Sequence, residues 1–364
     1  MPLIKGINRA KKSVEIIIFR FNRSEIEKAL SAAVTRGVHV HALIAYTNRG
    51  GEQRLRDLEM RLLAAGVTVS RTDDDLVRYH SKLMIIDRRV LFVLAFNFTY
   101  LDMERSRSFG VITTNRKHVE EAAKLFEADT KRHPYTAGSA TFIVSPTNAR
   151  KRITEFLKGA KKELLIYDPE ISDPAIIRTL EARARAGVTI SIIGQLKVRN
   201  SVLPEPRTLP IRLHTRSIIR DESWAFVGSQ SLRALELDAR REVGIIFHDP
   251  KVIARLTKTF REDWESKGQS QPIRVSADEA RAEDQVSASR LAKKVAKAVA
   301  DDLDPVKPAV ETAMEELSAA DNSLKLNHAE MDVSVKQAVK NAVKQVVLEF
   351  VEQASESQGA GAKS

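Results

Sequence analysis

The residues best suited to chemistry stand in two strings of the same spacing. The first is His80-Ser81-Lys82 followed by Asp87, and the second is His214-Thr215-Arg216 followed by Asp221. An imidazole two residues from a cation suits substitution at phosphorus. Histidine acts as nucleophile or acid near neutral pH, and the cation neutralises phosphate oxygens. Two copies in one chain are a much stronger signal of a functional site than one copy.

The two strings lie inside a longer internal repeat. An offset of 134 residues pairs identical residues without a gap from the first string onward: His80 with His214, Asp87 with Asp221, Gly110 with Gly244, Ile112 with Ile246, Lys117 with Lys251, Phe126 with Phe260 and Asp129 with Asp263. Upstream the offset is 150, so the first half holds about sixteen extra residues between Ala45 and Arg78. The chain therefore reads as two copies of one unit.

This pattern resembles the phospholipase D superfamily, in which two H-x-K-x4-D motifs from similar halves meet at one active site. The resemblance covers roughly residues 3–268. It implies an α/β fold of two tandem α/β/α repeats, packed as a pseudo-dimer with mixed sheets. It also implies a covalent phosphohistidine intermediate, with no metal and no other cofactor.

The segments after the two motifs depart from the family pattern in opposite ways. In the family the motif is followed by G-S-x-N and, eleven residues after the Asn, by an acidic residue. The first half has Leu94-Ala95-Phe96-Asn97 and then Ser108, whereas the second has Gly228-Ser229-Gln230-Ser231 and then Glu242. Each half keeps what the other has lost. These departures leave a binding-only protein as an alternative to an enzyme.

The resemblance implies a role for each residue that matches the motifs. His80 would be the nucleophile and His214 the general acid, with Glu242 reaching across to orient His80. His214 would then lie opposite Ser108 and lack a carboxylate. Asp87 and Asp221 are expected to hydrogen-bond near the strand ends. The candidate catalytic residues are His80, Lys82, Asp87, Asn97, His214, Arg216, Asp221 and Glu242, and the candidate substrate-binding residues are Ser229 and Ser231.

Composition favours an anionic partner. The net charge is +11, and residues 1–270 hold 47 Lys and Arg against 32 Asp and Glu. A basic body suits phospholipid headgroups at a membrane surface or, alternatively, a nucleic acid. Two motifs in one chain favour lipid chemistry. The segment Phe96-Asn97-Phe98-Thr99, however, looks like that of nucleases in the same superfamily. Aromatic side chains, which could contact acyl chains or stack on bases, make up only 5% of the chain.

Hydrophobic periodicity predicts the elements that must hold these residues. In the first half strands are predicted over 14–19 and 38–45 around an amphipathic helix over 24–36, and in the second half strands over 163–167 and 188–193 flank a helix over 174–186. Strands alternating with helices predict a mixed sheet covered on both faces. No helix is predicted in the Pro-rich connector over 196–210.

The domain boundaries follow from the repeat. We expect one half over 1–136, a second over 137–268, and a linker with a helical tail over 269–364, disordered at its end and able to mediate self-association. The absence of cysteine fits any compartment. Because the chain has neither a long apolar run nor the layout of a signal peptide at its start, the default expectation is a cytoplasmic location, peripheral to a membrane. The second half opens with a strand over 141–144 that the first lacks. Either the sheet of the first half lacks an edge strand or the natural start lies upstream. We favour the second alternative, and a signal sequence in that upstream segment would make the protein secreted.

Overall fold

The computed structural model of the protein describes residues 1–46, 52–198 and 200–266. The chain divides into two units, Met1–Arg274 and Val275–Ser364, of which only the first holds described residues. The first unit contains both repeats. The helices predicted over 288–303 and 333–354 lie outside the described residues.

The first half is built on a six-stranded mixed sheet. Its elements in chain order are α1 (Pro2–Arg9), β1 (Ser13–Ile18), α2 (Ser24–Thr35), β2 (His39–Ile44), α3 (Glu52–Ala64), β3 (Thr68–Arg71), β4 (Arg78–Tyr79), β5 (Leu83–Ile86), β6 (Val90–Leu94), α4 (Tyr100–Glu104), β7 (Ser106–Arg107), β8 (Gly110–Thr113) and α5 (Arg116–Lys131). The strand order is β3-β2-β1-β5-β6-β8. Strand β1 runs parallel to β2 and antiparallel to β5.

The second half repeats this architecture. Its elements are β9 (Phe142–Ser145), α6 (Ala149–Lys158), β10 (Glu163–Ile171), α7 (Pro174–Arg185), β11 (Thr189–Leu196), β12 (Arg212–Leu213), β13 (Arg216–Arg220), β14 (Trp224–Gly228), α8 (Ala234–Asp238), β15 (Arg240–Phe247) and α9 (Pro250–Glu265). The sheet order is β11-β10-β13-β14-β15-β4, and β9 pairs with β15. The predicted fold class, two α/β repeats with mixed sheets, is confirmed.

Both faces of each sheet are buried. In β1, Ile16 packs into the cluster that includes α1 and α2, whereas Ile17 packs into the cluster that includes α5. Because a strand covered on both sides has no solvent face, its sequence is an almost continuous apolar run. The turns from α2 and α7 into the next strand use Gly37 and Gly187, whose φ values of 81° and 86° favour glycine.

The halves differ where the two offsets change. The extra residues of the first half form α3 and β3. In the second half the described residues between β11 and β12 form neither helix nor strand, as predicted for the connector. Strand β9 has no counterpart in the described part of the first half, whose sheet ends at β8.

One hydrophobic core joins the halves. Val93 and Val111 of the first half belong to the same buried cluster as Val227 and Ile245 of the second. Burial of this shared apolar surface makes separation of the halves unfavourable.

Two equivalent ion pairs cross the same boundary. Arg107 Nη2 lies 2.6 Å from Asp263 Oδ1, and Arg241 Nη2 lies 3.1 Å from Asp129 Oδ1. The offset of 134 relates both members of one pair to those of the other. The duplication therefore gave an interface with approximate twofold symmetry.

Most elements predicted from periodicity are present, with ends shifted by one to four residues. The helices α4 and α8 and the strands β4 and β7 were missed. Each has five residues or fewer, too few to show a period. None of the helices in the described residues is long and apolar enough to cross a bilayer.

Candidate active site

The two motifs meet because the halves exchange short strands. Strand β4, just before His80, pairs in parallel with β15 of the second half, and β12, just before His214, pairs in parallel with β7 of the first. The His80 amide donates to the Arg241 carbonyl at 2.8 Å, and the His214 amide donates to the Arg107 carbonyl at 3.1 Å. Each histidine is thus fixed to the opposite half, at the shared boundary.

His80 is held by a carboxylate from the other half. Its Nδ1 lies 2.9 Å from both oxygens of Glu242, which is fully buried. Burial raises the pKa of Glu242 to about 8. Burial, with the nearby charge of Lys82, holds the pKa of His80 well below its usual value. His80 is therefore held in its neutral form, and its Nδ1 is hydrogen-bonded to the Glu242 carboxyl group.

That pairing leaves the second ring nitrogen of His80 available. Within the described chain no hydrogen bond is made by Nε2, and the ring packs edge-on against Phe19 at a centroid distance of 4.5 Å. An oriented, neutral imidazole with a free lone pair is a nucleophile. The expected contact between Glu242 and His80 is confirmed.

Lys82 presents a buried ammonium group in the described part of the site. Its Nζ makes no hydrogen bond to any described residue and lies 5.3 Å from the Phe19 ring centroid. Burial lowers the pKa of Lys82 to about 7, although the charge of Glu242 opposes the shift. Arg216 of the other half also lowers it, so the cations of both motifs act on one region. An orphaned buried cation is suited to binding an anion.

His214 does have a carboxylate neighbour, and the expectation that it has none is wrong. Its Nε2 lies 3.1 Å from Oδ2 of Asp102, a residue of α4. Burial lowers the pKa of His214 to about 4, although Asp102 opposes the shift. Ser108, the position expected to face His214, has a buried hydroxyl without a hydrogen-bond partner among the described residues.

Asn97 is tied to the same carboxylate. Its backbone amide and its side-chain Nδ2 both donate to Asp102 Oδ2 at 2.8 Å. Its Oδ1 is buried without a hydrogen-bond partner in the described chain. Asn97 lies where the motif predicts, but part of its donor capacity is used within the protein.

The second motif is held together by its own hydrogen bonds. Arg216 Nε donates to Ser231 Oγ at 3.0 Å, and Arg216 Nη1 donates to the His214 carbonyl at 3.0 Å. Ser229 Oγ exchanges hydrogen bonds with the backbone of Val243. Ser231 is thus a support for the guanidinium, and Ser229 is a support for β15.

The two motif aspartates lie at the far ends of their strands. Asp87 accepts hydrogen bonds from the backbone amides of Lys11, Lys12 and Ser13, and Asp221 accepts from those of Lys161, Lys162 and Glu163. Asp87 binds the turn that leads into β1, and Asp221 binds the turn that leads into β10. This geometry matches the expected structural role and brings neither carboxylate to the histidines.

A buried ion pair that the sequence did not reveal lies beside His80. Arg240 Nη1 donates to Glu236 Oε1 at 3.2 Å, and both side chains are almost fully buried. Burial acts to raise the pKa of Glu236, but Arg216 and Arg240 outweigh it and lower the pKa to about 2. The offset of 134 relates Glu236 to Asp102, a signal that could have identified both carboxylates.

The arrangement can perform substitution at a phosphodiester. It offers a neutral nucleophile in His80, a second imidazole in His214, and a cluster of buried cations for the phosphate oxygens. In-line displacement requires those three functions.

Comparison with known proteins agrees with this geometry. A family model described as "Cardiolipin synthase, PLD-like domain" matches residues 3–130 and 153–264. Cardiolipin synthase B of Salmonella typhi is 23% identical over 311 residues, which is 68% of this chain and 73% of that protein. The mitochondrial cardiolipin hydrolase of Mus musculus is 28% identical over 128 residues, 34% of this chain and 55% of that protein, so only about half of its length is matched.

A solved structure shares the fold. Polyphosphate kinase from Porphyromonas gingivalis superposes with a TM-score of 0.59 at 18% identity, covering 79% of this chain and 53% of that one. The matched region is about half of the kinase. At this identity the likeness concerns the fold alone, and it implies no shared substrate.

Proposed function

The chain belongs to the phospholipase D superfamily, and we propose that it is a phosphodiesterase that hydrolyses or transfers the phosphatidyl groups of phospholipids. The observation that carries this proposal is the contact of His80 with Glu242 across the halves, close to the partnerless ammonium of Lys82. A neutral nucleophile beside an unpaired cation is the arrangement that a phosphodiester monoanion requires.

In the first step the lone pair on His80 Nε2 attacks phosphorus. The bond from phosphorus to the leaving oxygen breaks, and its electron pair stays on that oxygen. His214, whose protonated form is favoured by the negative charge of the bound phosphodiester, delivers a proton there. Lys82 and Arg216 neutralise the non-bridging oxygens, where negative charge accumulates. The products are a phosphohistidine at residue 80, a neutral His214 and the free alcohol.

In the second step water or an alcohol attacks the phosphohistidine. His214 takes the proton from the attacking oxygen, the phosphorus–nitrogen bond breaks, and its electron pair returns to His80 Nε2. Water gives hydrolysis and an alcohol gives transfer. The enzyme ends in its starting protonation state, so the cycle balances.

The relatives support phospholipid as the substrate class. One matched protein is called a cardiolipin synthase and another a cardiolipin hydrolase, names that correspond to transfer and hydrolysis. The excess of cations over residues 1–270 would draw the protein to anionic lipid. We propose a cytoplasmic protein peripheral to the membrane, with the tail over 269–364 mediating self-association.

A metal-independent nuclease is the second candidate. The same basic charge suits a nucleic-acid backbone, and the segment Phe96-Asn97-Phe98-Thr99 resembles that of superfamily nucleases. The chemistry at phosphorus would be unchanged. Only the groups on either side of the phosphodiester would differ.

One experiment separates these candidates. Purified protein is incubated under chelation with labelled phosphatidylcholine, phosphatidylglycerol and single-stranded DNA, and the products are identified. The His80→Ala variant is the test of the site, and His39→Ala, at an exposed histidine, is the matched control. We expect lipid products from the wild type and from His39→Ala, and none from His80→Ala.

Product from DNA alone would replace the lipid proposal with the nuclease. No product from any of the three substrates would indicate a protein that binds phosphate without reacting.

A further inference from the structure

We propose that Asp102 is a positioning residue that replaces the missing acid at position 108 and keeps a proton on Nε2 of His214. The inference rests on the proposed function and assigns a residue that the motif does not contain. Its consequence is that His214, rather than His80, is equipped to protonate the leaving oxygen.

The two histidines have carboxylates on opposite sides of the ring. Glu242 contacts His80 at Nδ1, so Nε2 is left for attack on phosphorus. Asp102 contacts His214 at Nε2. A nucleophile needs a free lone pair, whereas an acid needs a proton stabilised by negative charge. The difference in contacts therefore separates the two roles.

Asp102 is ionised and held in place. Its Oδ2 accepts hydrogen bonds from the backbone amide and the Nδ2 of Asn97, and its Oδ1 accepts from Arg212 Nη1 at 2.6 Å. Although burial opposes ionisation, the contacts with His214 and Arg212 hold the pKa of Asp102 far below its usual value. Asp102 thus presents a fixed negative charge to His214.

The contact between Asp102 and His214 favours a positive charge on the ring without engaging the Nε2 proton in a hydrogen bond. Asp102 Oδ2 is 3.1 Å from His214 Nε2, yet Nε2 makes no aligned hydrogen bond with any described residue. The carboxylate lies beside the nitrogen and off its N–H direction. The N–H bond therefore stays free to point at a leaving oxygen, while the adjacent charge favours the protonated ring.

The position at which the family pattern has an acid, eleven residues after Asn97, is a serine in the first half. The offset of 134 relates Glu242 to Ser108, whose buried hydroxyl makes no hydrogen bond to any described residue, the two histidines included. Asp102 lies six residues earlier. Its own counterpart, Glu236, accepts from the Ser231 amide at 2.6 Å and pairs with Arg240 instead of a histidine.

The other charges that act on His214 have the opposite effect. Arg212 from β12 and Arg216 from β13 both lower the pKa of His214, and Asp102 from α4 is the acid that opposes them. Without Asp102 two guanidinium groups would face the ring with no compensating carboxylate. The pKa of His214 would then fall still further below its usual value, and the ring would be a poorer proton carrier.

The test compares two phosphodiesters that differ in the leaving group. Bis(p-nitrophenyl) phosphate releases a stable phenolate that needs no proton, whereas a phosphatidylglycerol headgroup leaves as an alkoxide that does. We expect Asp102→Asn to reduce kcat for the lipid at least about tenfold more than for the nitrophenyl ester. Ser108→Ala is the control, and we expect it to reduce neither rate.

Equal losses on both substrates would overturn the inference, because damage to the fold affects both alike. Unchanged rates on both would overturn it as well. A wild type that cleaves neither substrate would instead refute the proposed function. In that case the inference is decided by nuclear magnetic resonance.

The same spectra decide the question if Asp102→Asn fails to fold, because they are recorded on the wild-type protein. Nitrogen-15 spectra of wild-type histidines, assigned with His214→Gln, report which nitrogen of His214 carries the proton. A proton on Nε2 supports the inference, and a proton on Nδ1 overturns it.

Discussion

The carboxylate of Glu242 lies 2.9 Å from Nδ1 of His80, although the two residues belong to different halves and are 162 positions apart. Neither half therefore contains a complete nucleophile. The strand exchange that joins β4 to β15 creates the contact, since it places residues 78–79 beside residues 240–241. The site is therefore complete only when the two halves are packed together.

Replacing Glu242 with Gln tests this relationship. A glutamine can donate its amide proton to Nδ1, which would move the imidazole proton to Nε2 and block attack. We expect kcat to fall by roughly 10²- to 10⁴-fold with a small change in KM, as with a wrong tautomer in a catalytic triad. Steady-state kinetics on the lipid measure the effect, and circular dichroism checks folding. Full activity in Glu242→Gln would show that His80 needs no orientation.

The lowered pKa of Lys82 predicts a loss of activity at alkaline pH. Its buried ammonium has a pKa of about 7, and only the protonated form neutralises phosphate. We expect kcat/KM to fall as pH rises through about 7. In Lys82→Arg, where the charge persists, the fall should move to higher pH. The measurement is a profile of kcat/KM against pH, with exposed Lys124→Arg as control. Superimposable profiles for wild type and Lys82→Arg would contradict the assignment.

Asp87 is predicted to matter for stability more than for chemistry. Its carboxylate accepts backbone hydrogen bonds from Lys11, Lys12 and Ser13. Asp87→Ala should lower the free energy of unfolding by about 2–3 kcal/mol, because charged hydrogen bonds are lost. Activity per folded molecule should be retained. Urea denaturation measures the change, and Asp74→Ala, at an exposed loop residue, is the control. A variant that is as stable as the wild type but inactive would show that Asp87 contributes to catalysis.

Glu236 predicts a pH-dependent contribution to stability. Glu236→Gln would leave Arg240 buried with a neutral partner, and we expect a loss of about 3–5 kcal/mol at pH 7. The pKa of Glu236 is lowered to about 2 in the folded protein. Its stabilising effect is therefore present above the unfolded pKa and lost as pH falls toward 2. Unfolding of wild type and variant at pH 7 and pH 3 measures this. A difference that stays constant over that range would refute it.

The repeat made much of the fold predictable. Because the offset of 134 holds from His80 through Asp129, each element of the second half after its motif could be inferred from the first. Runs such as Val14 to Ile18 identified buried strands without any knowledge of partners. The contact between Glu242 and His80 was also expected, from the family resemblance.

The carboxylate beside His214 was missed, although the offset of 134 pairs Asp102 with Glu236. Asp102 lies in a helix of five residues, too short for a pattern. Its contacts with Arg212 and His214 join residues more than 100 positions apart. Arg240 and Glu236 were missed for a similar reason: charged residues in sequence read as solvent-facing, and only three-dimensional packing shows that these two are buried.

His80 is expected to form a covalent bond to phosphorus at a site completed by the other half. Mass spectrometry after an alkaline quench detects this bond, because phosphohistidine survives at high pH. Wild-type protein turning over phosphatidylglycerol should carry a phosphatidyl group on the peptide that contains His80, and His80→Ala should carry none. Turnover without any adduct, or an adduct on His214 instead, would contradict the account.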